Sequence, residues 1–529
     1  MNQFIKQSCI LSLTFFSTCM FTQDSSQNAF FPRPFTTDMA REIILQSDAW
    51  TGNADGDNGY GTAQITMQYY RNIHENKATG IGSLPFWSNS NNMTIGNNIN
   101  GVDNERANVS AWQFGLGSVS EQGTITLAPI VKNIGFNIFL YFGSEETKPG
   151  FFTKINTGVG SLSIDPRLSE TLPRFAQPNI YPANAFQASG SAGGAGVNPP
   201  YKSMTQAFAG GNIDSGTIFT GLQYGKIDGK RRVTQFGDID FCFGYNIIAD
   251  DTMHAGIGLR ISAPTTNKQT GRYIFEPIYG KGGHWGLGIE GIAHYTLWEG
   301  HDDNNLQVWF DMYALHLFNT ESKRSFDLTL NGAGSKYLLI TDFQNGQIQN
   351  SIQPLVNIST LNVNSKFGIL IDLALIAKYN TGNWTLSGGY NLMGRSKETI
   401  SIKDSIYQNR YAILGAQYNA QADGTPNYTC EPSAKMTGMM TANTNGVFTD
   451  SVKDVRNAAN RISDVSEFDV TAAQQLASIS SKFFGNIDYR WISMDYCPTV
   501  GLFGAIEVSN SDNTALSQWS LGFHGGISF

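Results

Sequence analysis

The feature that most restricts this chain is an alternation of apolar and polar residues that recurs in long runs and reaches the last residue. Trp519, Leu521, Phe523, Gly525, Ile527 and Phe529 alternate with Ser520, Gly522, His524, Gly526 and Ser528. The same period of two marks 239–247, 253–261, 285–297, 369–377, 384–392, 483–491 and 500–508. A side chain type that recurs every second residue belongs to a strand with one apolar face. Strands in soluble sheets usually stop at about five or six residues. Runs of about nine to eleven are what a tilted strand needs to cross hydrocarbon.

The opposite face of these runs carries Asp238, Asp240, Arg260, Glu290, His294, Asp372, Asp488 and Arg490. Charges at that spacing cannot fill a closed sandwich core without partners, but they can line a wet lumen. An open sheet edge in lipid would leave backbone groups unpaired, so the sheet must close. The expected fold is therefore all-β, a transmembrane antiparallel β-barrel of about 14 strands, with about 12 to 16 as the range. Composition fits: only 15% of residues are charged, 12% are aromatic, and 56 Gly stand against 17 Pro. A net charge of −8 excludes a strongly basic chain that grips nucleic acid, and the aromatics exclude a disordered one.

Residues 1–22 read as a signal peptide: Lys6, an apolar run from Cys9 to Phe16, then Ser17, Thr18 and Cys19. Cleavage is expected between about residues 19 and 24. A lipid-modified Cys19 and a buried N-terminal helix are the alternatives. Further on, no uncharged apolar run reaches the about 18 residues of a transmembrane helix, and the longest candidate, 367–378, is interrupted by Asp372. Cys242, Cys430 and Cys497 allow at most one disulfide, and no zinc spacing occurs, so neither cofactor nor metal is expected.

Together with the leader, the ending Trp519-Ser-Leu-Gly-Phe-His-Gly-Gly-Ile-Ser-Phe529 resembles bacterial outer-membrane β-barrel proteins. The resemblance implies a location in the outer membrane. It also implies recognition of Trp519, Leu521, Phe523, Ile527 and Phe529 by the barrel-assembly machinery. A narrower similarity, to outer-membrane hydrophobic-compound transporters, rests on Pro264-Thr265, Gly271-Arg-Tyr273 and Gly280-Lys-Gly-Gly-His-Trp285, with Thr266 where that family has glycine.

If the last strand ends in the periplasm, 248–251, 299–304, 380–383 and 491–496 become short periplasmic turns. Segments 165–215, 264–282, 319–365 and 395–481 become long external loops, the asymmetry expected of such barrels. Residues 183–200 read as a low-complexity loop, and spaced Val, Ile and Leu over 452–480 admit a loop helix. Upstream strands are expected near 41–50, 62–71, 122–131, 134–143, 150–164 and 216–225. Residues 23–40 are then an N-terminal periplasmic segment and 41–529 a single barrel domain. Segment 72–121, aromatic and Asn-rich, is either a plug folded into the lumen or an external loop.

Several motifs invite a sharper reading than they support. Asp55-Gly-Asp-Asn-Gly59 lacks the later ligands of a calcium loop and reads as a tight turn. Glu290 and His294 share a strand face about 13 Å apart, too far for one metal. His301-Asp302-Asp303 falls in a predicted periplasmic turn, the wrong end for an outer-membrane protease site. A Ser/His hydrolase using His254, His294 or His524 is a geometric question, and no enzyme is expected. The expected function is a porin-like diffusion channel or small-solute uptake barrel. A surface adhesion or display barrel using the long loops is the alternative. Its lumen would carry Asp238, Asp240, Glu290, Asp311, Asp372, Asp488 and Glu507 against Arg260, Lys378 and Arg490, with His294 on the same face, giving a mild cation preference. Ile257 should face lipid, and added polarity at Gly256 or Gly258 should be tolerated.

Overall fold

The computed structural model describes residues 33–51, 59–73, 92–96, 109–116, 119–171, 174–175, 200–211, 219–250, 252–301, 304–414, 429–436, 453–494, 496–509 and 517–529. The expected leader at 1–22, residues 55–58 of the turn expected at 55–59, Asp302-Asp303, most of 183–200 and much of 421–450 lie outside them.

Twelve strands close on themselves: β1 (Tyr60–Asn72), β2 (Ile130–Gly143), β3 (Gly150–Asp165), β4 (Ile239–Ala249), β5 (Met253–Ala263) and β6 (Gly286–Glu299), then β7 (Asn305–Ser325), β8 (Thr360–Thr381), β9 (Trp384–Arg395), β10 (Ser478–Arg490), β11 (Thr499–Ser509) and β12 (Gln518–Ser528). Every neighbouring pair is antiparallel, and β12 returns to β1 with Thr62 opposite Ser528 and Tyr70 opposite Ser520. Two further strands bond outside the ring: Arg231–Phe236 on the far half of β3 and Glu398–Ile402 on the far half of β8. They prolong β4 and β9 beyond short breaks. This is the all-β barrel expected, with twelve strands closed and two bonded outside.

Alternation places Ile65, Phe136, Phe243, Ile257, Leu259, Ile289, Leu375, Leu386, Phe483, Leu502, Leu521 and Phe523 outward, all exposed. An unbroken apolar exterior of this kind is stable against hydrocarbon and not against water. Aromatic groups mark its two rims: Trp384, Tyr489 and Trp491 at the turn end, Tyr69 and Trp519 at the other. At the turn end the strand connections are short, as expected. At the opposite end β7 and β8, of 21 and 22 residues, run on past the belt. There they join a folded cap with its own apolar core of Phe114, Leu162, Phe208, Tyr279, Phe326, Tyr337 and Leu339.

Several expectations change, among them the periplasmic placement of 23–40, whose described residues 33–40 are buried inside the barrel. Residues 41–50 are no strand: they belong to helix α1 (Met39–Thr51). Ile43, Ile44 and Leu45 suit either element by pattern, but Asp38 decides it locally. Its side chain accepts from the Ala40 backbone N–H at 3.2 Å, and its carbonyl accepts from Arg41 and Glu42. Losing that strand reverses the parity upstream, so 72–121 follows β1 at the capped end. Its described parts, Asn92–Gly96, Val109–Ser110 and the turn at 111–116, pack into the cap. Residues 122–131 break at Ala128 and Pro129, leaving a short cap strand, Gly123–Thr126. The described part of 216–225 makes only an isolated bridge, Phe219 to Ile352. Within 452–480 the helical content is the single turn Val470–Ala473 and two tight 3₁₀ turns. Cys242, Cys430 and Cys497 are buried, and none of them forms a disulfide among the described residues.

Candidate functional site in the barrel lumen

The interior of the barrel is filled by the chain's own N-terminal segment. Residues 33–49 are buried throughout, and α1 runs from the capped end toward the turn end, where β1 begins. Its apolar residues point two ways. Met39, Ala40, Ile43 and Ile44 pack on Trp309, Leu315, Ala374 and Ile376, while Leu45 and Ala49 pack on Tyr60, Phe139, Phe152 and Ile292. A helix enclosed by wall on all sides needs no solvent face. That is why it shows no clean amphipathic pattern.

Polar contacts fix it at both ends and in the middle. Near the cap, the Arg33 guanidinium donates to Asp372 at 3.0 Å and to Glu507 at 2.9 Å. Asp38 accepts from Lys482 at 2.6 Å and from the Tyr70 hydroxyl at 3.0 Å. Arg41 donates to Gln68 at 2.9 Å. At mid-height, Glu42 accepts from Arg260 at 2.9 Å and from Asn156 at 2.7 Å. Arg260 also reaches Asp240 at 2.9 Å and Glu290 at 3.0 Å, and its guanidinium lies 4.2 Å above the Tyr313 ring. Toward the turn end, Lys378 donates to Ser47 at 2.8 Å and to Asp48 at 3.0 Å. There Trp50 stacks on His254 with ring centroids 4.1 Å apart.

The residues singled out from sequence are buried on the inner side of the wall. Asp240, Arg260 and Glu290 form one cluster with Glu42 of the helix. Glu290 and Asp311 both approach Lys154, at 2.5 and 3.5 Å. Asp372 and Glu507 meet on Arg33, while Lys378 sits apart on Asp48. Asp488 pairs with His524 at 2.8 Å, and Arg490 donates to Asn380 and Thr385, both at 2.6 Å. His294 stacks on Trp309. Asp238 lies at the rim, accepting from the Thr266 hydroxyl and from the backbone N–H of Lys281, whose ammonium pairs with Asp240 at 3.0 Å. Of the terminal residues, Leu521, Phe523 and Ile527 face outward, Trp519 packs on Tyr69, and the Phe529 carbonyl accepts from Gly61 at the seam.

Sequence reasoning missed the helix and two wall cations, Lys154 and Lys482. Lys482 directly precedes an alternating run and was readable there. With both included, the acidic excess on the wall is smaller than first counted. The inner glycines are also tighter than expected. A Cβ on Gly258 would lie 2.6 Å from the Cys242 sulfur, and one on Gly256 2.4 Å from the Asn246 amide oxygen. A cleft beside Pro34, lined by Lys281, Phe367, Met393 and Arg395, is water-sized at about 10 Å³. Histidines 254, 294 and 524 have no serine among their described hydrogen-bond partners. Among the described residues no group of three metal-ligating side chains converges.

No protein-family model matches the chain, and no curated protein sequence does. Among solved structures it is similar to the COG4313 outer membrane channel from Pseudomonas putida F1, at 8% identity over 88% of this chain and 96% of that one, with a TM-score of 0.36. It is similar to the transport unit of the autotransporter AIDA-I from Escherichia coli at 7% identity, covering 94% and 99%, with a TM-score of 0.31. A Pseudomonas aeruginosa FadL homologue matches at 8% identity over 95% and 99%, with a TM-score of 0.29. Likenesses this loose leave activity to the chain's own geometry, and that geometry is a membrane β-barrel with a filled lumen.

Proposed function

We propose that this chain is a plugged transport barrel of the bacterial outer membrane, exported by a cleavable leader, through which small solutes pass when α1 moves. The observation that carries this reading is how the plug is held. Its fixed points are ion pairs and hydrogen bonds to the wall, at Arg33, Asp38, Glu42 and Asp48. Wall carboxylates and cations stripped of the helix would remain suited to a wet channel. The remaining acidic excess favours a mild cation preference in the open state. The C-terminal strand supplies the signal for the barrel-assembly machinery. The test is conductance in planar bilayers. The native chain should be closed most of the time, and the combined substitutions Arg33→Ala and Lys378→Met should give frequent openings. A loosened chain that folds, as judged by heat-modifiable migration, and stays insulating would sink the proposal. The folded cap favours a second reading, surface display. That reading predicts a silent barrel in both forms and specific binding by intact cells.

A further inference from the structure

The turn end of the plug is held differently from the rest. Trp50, His254, His294 and Trp309 form two stacked indole–imidazole pairs packed against each other in one compact cluster, with Trp50 also 5.2 Å from His294 and 6.4 Å from Trp309. Centroids are 4.1 Å apart for Trp50–His254, 4.5 Å for His254–His294 and 4.5 Å for His294–Trp309, and both indole–imidazole pairs are nearly parallel at 16° and 17°. The Nδ1 atoms of the two imidazoles face each other within hydrogen-bonding reach, and Nε2 of His254 is buried with no hydrogen-bond partner among the described residues. Trp309 is oriented by its Nε1–H, which donates to Gln307 at 3.0 Å, and the Tyr60 ring meets Trp50 at a tilt with centroids 4.8 Å apart.

We propose that this cluster is a proton-operated latch on the plug, closed while the histidine pair carries at most one extra proton and released when it takes up two. The inference rests on the plugged-channel reading for its consequence, though not for its mechanism. A neutral pair has one Nδ1–H directed at one Nδ1 lone pair. One added proton can be accommodated, because each ring faces an indole that attracts a cation. A second puts N–H against N–H, removes the bond and leaves two like charges in contact. The surrounding charges are Lys154 from β3, Lys378 from β8, Asp48 from α1 and Asp250 from the β4–β5 turn. Asp48 is already paired with Lys378, and Asp250 is taken up by Thr252 and Met253 in an exposed turn. Each lysine is likewise held by a carboxylate, Lys378 by Asp48 and Lys154 by Glu290, so the dominant repulsion is between the two imidazolium rings, and the least costly relief is for Trp50 and the end of α1 to leave.

Two readouts on the full-length protein test the latch between about pH 7.5 and about pH 4.5. Fluorine NMR of fluorotryptophan-labelled protein reports the Trp50 ring, assigned by its loss in Trp50→Phe. Conductance reports the opening. Acidification should shift the Trp50 resonance to that of a free indole and raise open probability by about tenfold per pH unit for each proton linked. His294→Phe keeps a ring in the cluster but cannot take the second proton, so it should abolish both changes. A Trp50 resonance that stays put on acidification overturns the latch, and so does one that moves equally in His294→Phe. If Trp50 moves in the native chain alone but no current follows, the latch stands and the transport reading falls.

Discussion

On β5, Ile257 and Leu259 point outward and are each 51% exposed, while Gly258 and Arg260 beside them are buried. The two faces of one strand therefore answer to different requirements. Outside, any apolar side chain of reasonable size meets the same hydrocarbon, so the positions are interchangeable within a class. Inside, each residue has a named partner: Arg260 has three carboxylates and a tyrosine ring, and Gly258 has a sulfur where its Cβ would be. The outer face tolerates substitution and says where the protein lives. The inner face is specific and says how the helix in the lumen is held.

The comparison would be broken most severely at Arg260. Arg260→Met leaves Glu42, Asp240 and Glu290 buried without their common cation, and should cost about 3–5 kcal/mol. Urea unfolding of the detergent-folded protein reads this directly, and an unchanged midpoint would mean the cluster is solvated rather than sealed. On the outer face, Ile257→Arg should destabilise insertion by about 2–4 kcal/mol, seen as reduced membrane-assembled protein.

A third expectation concerns the junction of wall and cap. Burial holds the His284 imidazole down at about 4, although its Nδ1–H donates to the Phe318 carbonyl at 2.8 Å. Its folded value lies below the free value of 6.5, so its contribution is fully present above about pH 6.5 and is lost as pH falls toward about 4. The loss should be about 2–3 kcal/mol over that window, and it should be absent in His284→Gln. Gly258→Ser comes next. It should cost about 1–3 kcal/mol by overpacking against Cys242, and assembly as good as the native chain's would show a roomier lumen than the geometry allows. The smallest effect belongs to Leu330→Ser on the cap surface, where 82% exposure predicts less than about 0.5 kcal/mol by the same urea titration.

Alternation made the downstream wall legible. From Ile239 onward every run expected from period two is an observed strand, and β7 joins them between the turn at 299–304 and the loop expected at 319–365, because a wall with lipid on one face and polar groups on the other must alternate. The same rule misread 41–50, since a short stretch containing Ile43, Ile44 and Leu45 has no length in which periods of 2.0 and 3.6 diverge. Local capping by Asp38 and enclosure by the wall made it a helix. With 41–50 a helix, 62–71 becomes the first strand of the wall, and of the two readings of 72–121 its described parts fit the external loop rather than the plug.

The candidate site divides the same way. Which side chains share the inner face with Glu290 was readable, because it follows from register within a strand. Which of them meet was not. Arg33 and Asp372 are 339 residues apart, Lys482 and Asp38 are 444, and their pairing depends on a helix threaded through the closed barrel. The sequence by itself determined a lipid-facing barrel with a charged interior, because alternation is a local property that hydrocarbon and backbone pairing impose strand by strand. Only the tertiary structure decided that the interior is filled, what fills it and how it is held, because ion pairs between distant residues exist only once closure brings them within about 3 Å of each other.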